Sequence, residues 1–126
     1  MQEKSDPSKS VETTPAVQQW IDICHVDDVF EACGRRYELP GLPPLAVFNM
    51  AGEFQVADDT CTHGDASLAD GWIEGTEVEC PFHSGKFCLK TGKAMSYPAE
   101  HALKVYRTRV DAGRVLFDPV PIVPED

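Results

Sequence analysis

The strongest constraint on this chain is a pair of short windows in which a cysteine is followed closely by a histidine. One residue separates Cys61 from His63, and two residues separate Cys80 from His83. In a loop, either spacing lets the thiol and the imidazole point the same way. Two sulfur and two nitrogen donors suit either a tetrahedral Zn²⁺ ion or an iron–sulfur cluster. The fold is therefore expected to bring these two loops together.

The rest of the chain has the pattern of short β-strands separated by turn residues. Short apolar segments bounded by Gly, Pro and Asp are expected to be strands, at residues 20–24, 45–50, 54–57, 76–80, 86–89, 103–110 and 114–117. Turns are expected at 51–52, 91–92 and 112–113, each ending in Gly. One short helix is expected over residues 26–33, with Asp27 or Asp28 as its cap. The pattern predicts an all-β protein built from antiparallel hairpins.

Length and composition favour one soluble domain. A chain of 126 residues fits a single core, expected over 16–120, with flexible tails at 1–15 and 121–126. There is no apolar run of about 18 residues and no signal-peptide pattern, so neither secretion nor membrane spanning is expected. The net charge of −10 argues against nucleic acid and anionic membranes and favours a basic protein partner. Five cysteines, an odd number, indicate a reducing cytoplasm.

Around the two windows the sequence resembles the Rieske family of [2Fe–2S] proteins, in which two histidines replace two cysteines on one iron. The resemblance runs from roughly residue 20 to residue 117. It implies a Rieske fold: an antiparallel β base subdomain from 20–59 and 99–117, with a small cluster-binding subdomain from about 60–98 inserted into it.

The same resemblance implies one cluster per chain and assigns its ligands. Cys61 and Cys80 would bind the inner iron, and His63 and His83 would bind the outer iron near the surface. The proline-containing third loop of the family would correspond to Pro98, close to the cluster. Cys24, Cys33, Cys88, His25 and His101 lie outside the two windows and are not expected to be ligands.

Within the family, the chain looks most like the ferredoxin components of bacterial ring-hydroxylating dioxygenases. The strings that carry this likeness are Cys-Thr-His-Gly-Asp from Cys61 and Gly-Lys-Phe-Cys-Leu-Lys-Thr-Gly-Lys from Gly85. The likeness implies a monomeric electron carrier that is not itself an enzyme. It would take electrons from a flavoprotein NAD(P)H-dependent reductase and pass them to a terminal Rieske non-haem iron oxygenase in aromatic-compound degradation.

Departures from the cytochrome-complex branch of the family support this placement. Ala66 and Phe82 stand where that branch has disulfide cysteines, and Phe87 stands where it has a tyrosine that hydrogen-bonds a cluster sulfur. Fewer such hydrogen bonds lower the reduction potential, within a Rieske span of about −150 to +300 mV. A potential near the low end is expected.

Two other interpretations remain open at this point. The chain could be a Rieske-like small subunit of a nitrite reductase or another oxidoreductase, docked permanently on its partner. It could also be a structural zinc-binding module, although Gly64 and Gly85 favour iron because they let backbone amides approach sulfur. Asp58, Asp59, Asp65 and Asp70 flank the first window, where they could steer a basic partner.

Overall fold

The computed structural model describes residues 19–62, 66–82, 85–96 and 101–122. Within these ranges the chain forms β-strands and two short 3₁₀ helices, Val26–Asp28 and Leu68–Asp70. The strands are β1 Ile21–His25, β2 Cys33–Tyr37, β3 Leu45–Met50, β4 Glu53–Asp58, β5 Trp72–Glu74, β6 Glu77–Glu79, β7 Lys86–Cys88, β8 Ala94–Ser96, β9 Val105–Asp111 and β10 Arg114–Ile122.

The strands form two antiparallel sheets. The larger sheet has six strands in the order β1-β10-β9-β4-β3-β2, and the smaller has four in the order β5-β6-β7-β8. The whole small sheet is inserted in the chain between β4 and β9, which are neighbours in the large sheet. Where the chain leaves and rejoins that sheet, the Asp58 amide donates to the Lys104 carbonyl at 2.9 Å. The predicted fold class, an antiparallel base with an inserted smaller unit, is confirmed.

The backbone angles of two hairpin turns explain why Gly-containing dipeptides predicted them. Ala51 and Gly52 have φ values of 54° and 94°, and Ala112 and Gly113 have values of 50° and 79°. Two consecutive residues with positive φ are typical of the two-residue turns whose twist matches that of antiparallel strands. The predicted turns at 51–52 and 112–113 are confirmed.

Strand β3 is the centre of the molecule because both of its faces are buried. Ala46, Phe48 and Met50 pack into a core shared with the inserted segment, which we call the insert core. Leu45 and Val47 point to the opposite face and pack into a second core, within the large sheet and its loops, which we call the base core. A continuous apolar run is the pattern expected of a strand covered on both sides.

The predicted helix over 26–33 is wrong beyond its first residues. The 3₁₀ helix Val26–Asp28 is preceded by His25 as its N-cap: the His25 ring accepts from the Asp27 amide, and the Asp28 carboxylate accepts from the His25 amide. Ala32, with a φ of 61°, turns the chain into β2. So short a segment has too few hydrogen bonds to extend as a helix.

The remaining differences concern strand ends. Strands β2, β5 and β8 were not predicted, and β10 continues to Ile122, well past the predicted end at residue 117. β2 is an edge strand containing Gly34 and two arginines, and it has no buried residue. β5 and β8 likewise have no buried residue, unlike β6 and β7, which are equally short. Of the predicted tail at 121–126, Pro121 and Ile122 instead pair with Tyr106 and Val105 in β9. Residues 1–15 and 123–126 lie outside the described part of the chain.

Candidate metal centre

The first cysteine begins a loop that is closed at its base by an isolated antiparallel bridge. Thr60 and Ser67 face each other across this bridge. Inside it, the amide of Cys61 donates to the carbonyl of Ala66 at 3.0 Å. The start of the loop therefore has a defined backbone position, with Cys61 as its first residue.

The second cysteine begins a loop of the same length. Glu79 and Lys86 are the last paired residues of β6 and β7 on either side of it. The amide of Cys80 donates to the carbonyl of Gly85 at 2.8 Å. Both loops thus carry a hydrogen bond from the cysteine amide to the carbonyl five positions later, although their Cys-to-His spacings differ. This correspondence is the geometry expected of two loops that present equivalent donors.

Both cysteines are buried and belong to the insert core. Cys61 is 3% exposed and Cys80 is fully buried. The apolar side chains of this core from the inserted segment include Leu68, Val78 and Phe87. Water is therefore kept away from both sulfurs, and the buried Phe87 ring has no hydroxyl that could donate to a sulfur.

The two histidines of the predicted ligand set, His63 and His83, lie outside the described residues, as do Gly64 and Asp65. Among the residues that are described, no three His, Cys, Asp or Glu side chains come together as a metal site. Of the four predicted ligands, the structure describes Cys61 and Cys80. The ligand roles of all four residues remain a prediction.

The other cysteines have different surroundings. Cys24 is buried in the base core on the far side of β3, and Cys33 is exposed on the edge strand β2. Cys88 is half-buried at the end of β7. Burial would raise the pKa of the Cys88 thiol, but hydrogen bonds with Thr91 and the Lys90 backbone outweigh it and lower the pKa.

The four acidic residues that flank the first window differ in exposure. The Asp59 carboxylate is 3% exposed and accepts hydrogen bonds from Ser67 and Ala69. Asp58 is half-buried and accepts from the Tyr106 hydroxyl at 2.5 Å. Asp70 is exposed at the end of its 3₁₀ helix, and Asp65 lies outside the described residues. The buried Asp59 therefore cannot form part of an exposed acidic surface, because sequence proximity to a loop does not show which side chains turn inward.

The surface beside the loops combines contacts within the fold and exposed apolar groups. Thr62, between the two ligand positions of the first loop, donates from its hydroxyl to the His101 carbonyl at 2.9 Å. This bond ties the first loop to the chain just after Pro98, which lies outside the described residues. Phe82 in the second loop is 73% exposed. An aromatic ring at this position offers apolar contact area to a partner.

The donor chemistry of the centre fits a [2Fe–2S] cluster. The two buried thiols begin different loops with equivalent backbone hydrogen bonds and belong to the same apolar core, and Cys thiolates are the ligands of Fe–S clusters. The same pair is compatible with zinc on chemistry alone. The distinction comes from the surrounding sequence and fold.

Comparison with known proteins makes this distinction. Residues 19–107 match the Rieske [2Fe-2S] domain family. The ferredoxin component of the p-cumate 2,3-dioxygenase system of Pseudomonas putida is 41% identical over 99 residues, which are 78% of this chain and 84% of that protein. The 3-phenylpropionate/cinnamic acid dioxygenase ferredoxin subunit of Escherichia coli K12 is 43% identical over 99 residues, 78% of this chain and 92% of that protein.

A solved structure extends the likeness to three dimensions. A chain from the complex of reduced oxygenase and oxidised ferredoxin in carbazole 1,9a-dioxygenase superimposes with a TM-score of 0.77 at 36% identity. The match covers 85% of this chain and 99% of that chain. Sequence, fold and the paired cysteine loops agree, and this chain belongs to the Rieske [2Fe-2S] domain family.

Proposed function

We propose that this protein is the ferredoxin component of an aromatic-ring dioxygenase system, an electron carrier and not the catalytic component. The observation that carries the proposal is the pair of equivalent loops, each beginning with a buried cysteine, in a chain 41% identical to a dioxygenase-system ferredoxin. When bound, a [2Fe–2S] cluster takes up and releases a single electron.

The residues of the chain divide the work of holding such a cluster. Cys61 and Cys80 would hold one iron as thiolates, inside a core that excludes water. His63 and His83 would hold the other iron as neutral imidazoles. Fewer donors to sulfur, with Phe87 in place of a tyrosine, keep the reduction potential near the low end of the Rieske span.

The electron reaches and leaves the protein by transient docking. A flavoprotein NAD(P)H-dependent reductase supplies it, and a terminal Rieske non-haem iron oxygenase receives it. The oxygenase has the stronger support, since the carbazole 1,9a-dioxygenase complex contains a ferredoxin together with an oxygenase. We place the protein in the cytoplasm as a monomer. Within the part of the chain that the structure describes, no helix is long and apolar enough to cross a membrane.

The alternatives have less support. The two relatives at 41% and 43% identity are ferredoxin components of dioxygenase systems, which disfavours a nitrite reductase small subunit. A zinc module would share the four donors but would not need the Rieske fold around them.

Metal analysis of the purified protein tests the proposal first. We expect a red-brown protein with about two irons and two acid-labile sulfides per chain, one cluster's content. One zinc per chain and no iron would establish the structural alternative instead. Reduction by a ferredoxin reductase and reoxidation by a dioxygenase oxygenase then test the carrier role, and a cluster that neither protein can reduce or oxidise would contradict it.

Replacing a proposed histidine ligand tests the assignment of the outer iron. In His63→Cys or His83→Cys, a neutral imidazole becomes an anionic thiolate, so the oxidised cluster is favoured and the reduction potential falls. Protein-film voltammetry measures the change, with His101→Cys as the control outside the loops. An unchanged potential in a cluster-containing variant would show that the replaced histidine is not a ligand.

A further inference from the structure

The two cysteine loops are closed in different ways. The second loop sits on the β6–β7 ladder, which continues for three residue pairs away from it. Among the described residues, the first loop has one isolated bridge, between Thr60 and Ser67, in place of a ladder. A single pair is a weak closure, because it supplies few hydrogen bonds against the entropy of ordering the loop. Something other than a ladder must hold Cys61 in place.

The Asp59 side chain directly contacts residues 67–69, where the chain returns from this loop, a segment that we call the returning arm. Its Oδ1 atom accepts from the Ser67 hydroxyl at 2.8 Å and from the Ala69 amide at 3.0 Å. Because the carboxylate is almost fully buried, these bonds replace water that it has lost. The Asp59 side chain thus joins the chain just before Cys61 to residues 67–69, which follow the loop.

The main chain of Asp59 is held from both sides as well. Its amide donates to the Pro44 carbonyl at 3.0 Å, just before β3. Its carbonyl accepts from the Leu68 amide at 2.7 Å. Asp59 is therefore attached to the base sheet on one side and to the returning arm on the other.

A cation from the edge strand balances the buried charge. The Nε atom of Arg36, in β2, lies 3.6 Å from Oδ2 of Asp59. The Arg36 side chain is 49% exposed and also pairs with Glu38 at 2.9 Å. The Oδ1 atom is thus left to the loop while Oδ2 faces the guanidinium.

We propose that Asp59 is a positioning residue for the cluster: its carboxylate does for the first loop what the β6–β7 ladder does for the second, and so holds Cys61 in place for the inner iron. Arg36 balances its charge. The inference rests on the proposed cluster site, but the bracing of the loop can be measured whether or not electrons are transferred.

Hydrogen exchange of the holoprotein, followed by mass spectrometry, tests the bracing. In Asp59→Ala we expect peptides covering residues 57–66 to exchange at least about tenfold faster, since two hydrogen bonds to a charged group are lost. Peptides covering 77–85 should keep their native exchange. Asp118→Ala is the matched control, because Asp118 is also a buried aspartate that accepts a backbone bond, from Val120 in β10.

Two further variants cover the case in which Asp59→Ala does not fold. Ser67→Ala removes one of the two bonds and should speed exchange in the same peptides by a smaller factor. Asp59→Asn keeps an oxygen acceptor and should rescue most of the native protection. Equal acceleration in both loops, or none in the first, would overturn the proposal.

The cluster itself provides a readout that general instability would not move. The electron paramagnetic resonance spectrum of the reduced protein reports ligand geometry at the irons. In Asp59→Ala we expect shifted g-values or broadened signals. We expect native g-values in Asp118→Ala and near-native g-values in Asp59→Asn. A native spectrum in Asp59→Ala would show that Cys61 is positioned without the carboxylate.

Discussion

Asp58 and Asp59 are adjacent in sequence but turn to different parts of the molecule. Asp59 faces the first cysteine loop, whereas Asp58 faces Tyr106 in β9. Strand geometry explains the split, since successive side chains point to opposite faces of a sheet. Because a carboxylate in a loop is usually solvated, the sequence indicated surface charge at both positions. Each instead has a defined partner, which composition cannot reveal.

The Asp58–Tyr106 contact makes stability depend on pH in the alkaline range. Burial, and then the hydrogen bond to the Asp58 carboxylate, raise the pKa of Tyr106 above its ordinary value near 10. The folded state therefore favours the neutral phenol. This contribution is fully present below about pH 10 and is lost as the pH rises toward the folded pKa.

Replacing this hydroxyl should remove that dependence. We expect Tyr106→Phe to lower the free energy of unfolding by about 1.5–3 kcal/mol near pH 7, the range for a hydrogen bond to a charged group. Between pH 10 and 11, its stability should decline less than that of the native protein. Urea unfolding across pH 7–11 measures both effects. A parallel decline in the two proteins would mean that Tyr106 does not cause the alkaline loss.

At the scale of the elements, the sequence predicted the strands that alternate or run apolar over several residues. The prediction for β3, residues 45–50, coincides with the observed strand. Its ends are predictable because a pair of prolines precedes the mainly apolar run and a Gly-containing turn follows it. In the insertion, β6 and β7 each have a buried central residue and were predicted. β5 and β8 have no buried residue, so no buried position marked them as strands.

The turn after β7 shows how closely the inserted segment meets the base. Gly92 has a φ of 82°, and a Cβ atom there would lie 2.0 Å from the Leu103 carbonyl oxygen. The Leu103 amide also donates to the Gly92 carbonyl at 2.7 Å. A side chain at this position is therefore opposed by both backbone conformation and space.

Gly92→Ala should accordingly destabilise the protein more than the same change at an open turn. Gly41 is the matched control, with a φ of 79° and nothing within 4 Å of an added Cβ. We expect about 1–2 kcal/mol for Gly41→Ala from left-handed strain alone, and a larger loss for Gly92→Ala. Thermal unfolding compares them. Equal losses would mean that the turn moves away from Leu103 without cost.

For the whole molecule, the two cysteine loops were more predictable than the contacts that surround them. The Cys and His spacings predicted two loops, and the structure places a buried cysteine at the start of each. Nothing in the sequence indicated that the first loop would lack a ladder, because the return of residues 67–69 past Asp59 is a tertiary contact. The spacing of Cys and His residues predicts which side chains could bind a metal. The contacts that hold the first loop in place depend instead on the tertiary fold.

The net charge of −10 leads to a prediction about partner encounter. Weak electron-transfer complexes bury less than about 1,200 Å², so charge acts mainly on the encounter rate. The Debye length falls from about 10 Å at 0.1 M to about 3 Å at 1 M salt. Stopped-flow reduction by a ferredoxin reductase should therefore slow across this range.

Single charge removals can locate the surface responsible. Asp70→Asn removes an exposed charge beside the first cysteine loop and should lower both the rate and its salt dependence. Asp111→Asn is the control, at the end of β9 away from the inserted segment, where Asp111 pairs with Arg109. Equal effects of the two variants would mean that total charge, not its position, governs encounter.

The hydrogen bond between Asp58 and Lys104 has a consequence for how proteins of this shape can diversify. The inserted segment leaves the large sheet after Asp58 and returns at Lys104, and β4 and β9 on either side of it pair directly. The segment is therefore an insertion into a sheet that is already continuous, and we call it the cassette. Lengthening the cassette changes its closure entropy only slowly. Its outer loops can therefore be rebuilt for new partners, provided that its inner side still covers Phe48 and its neighbours on β3.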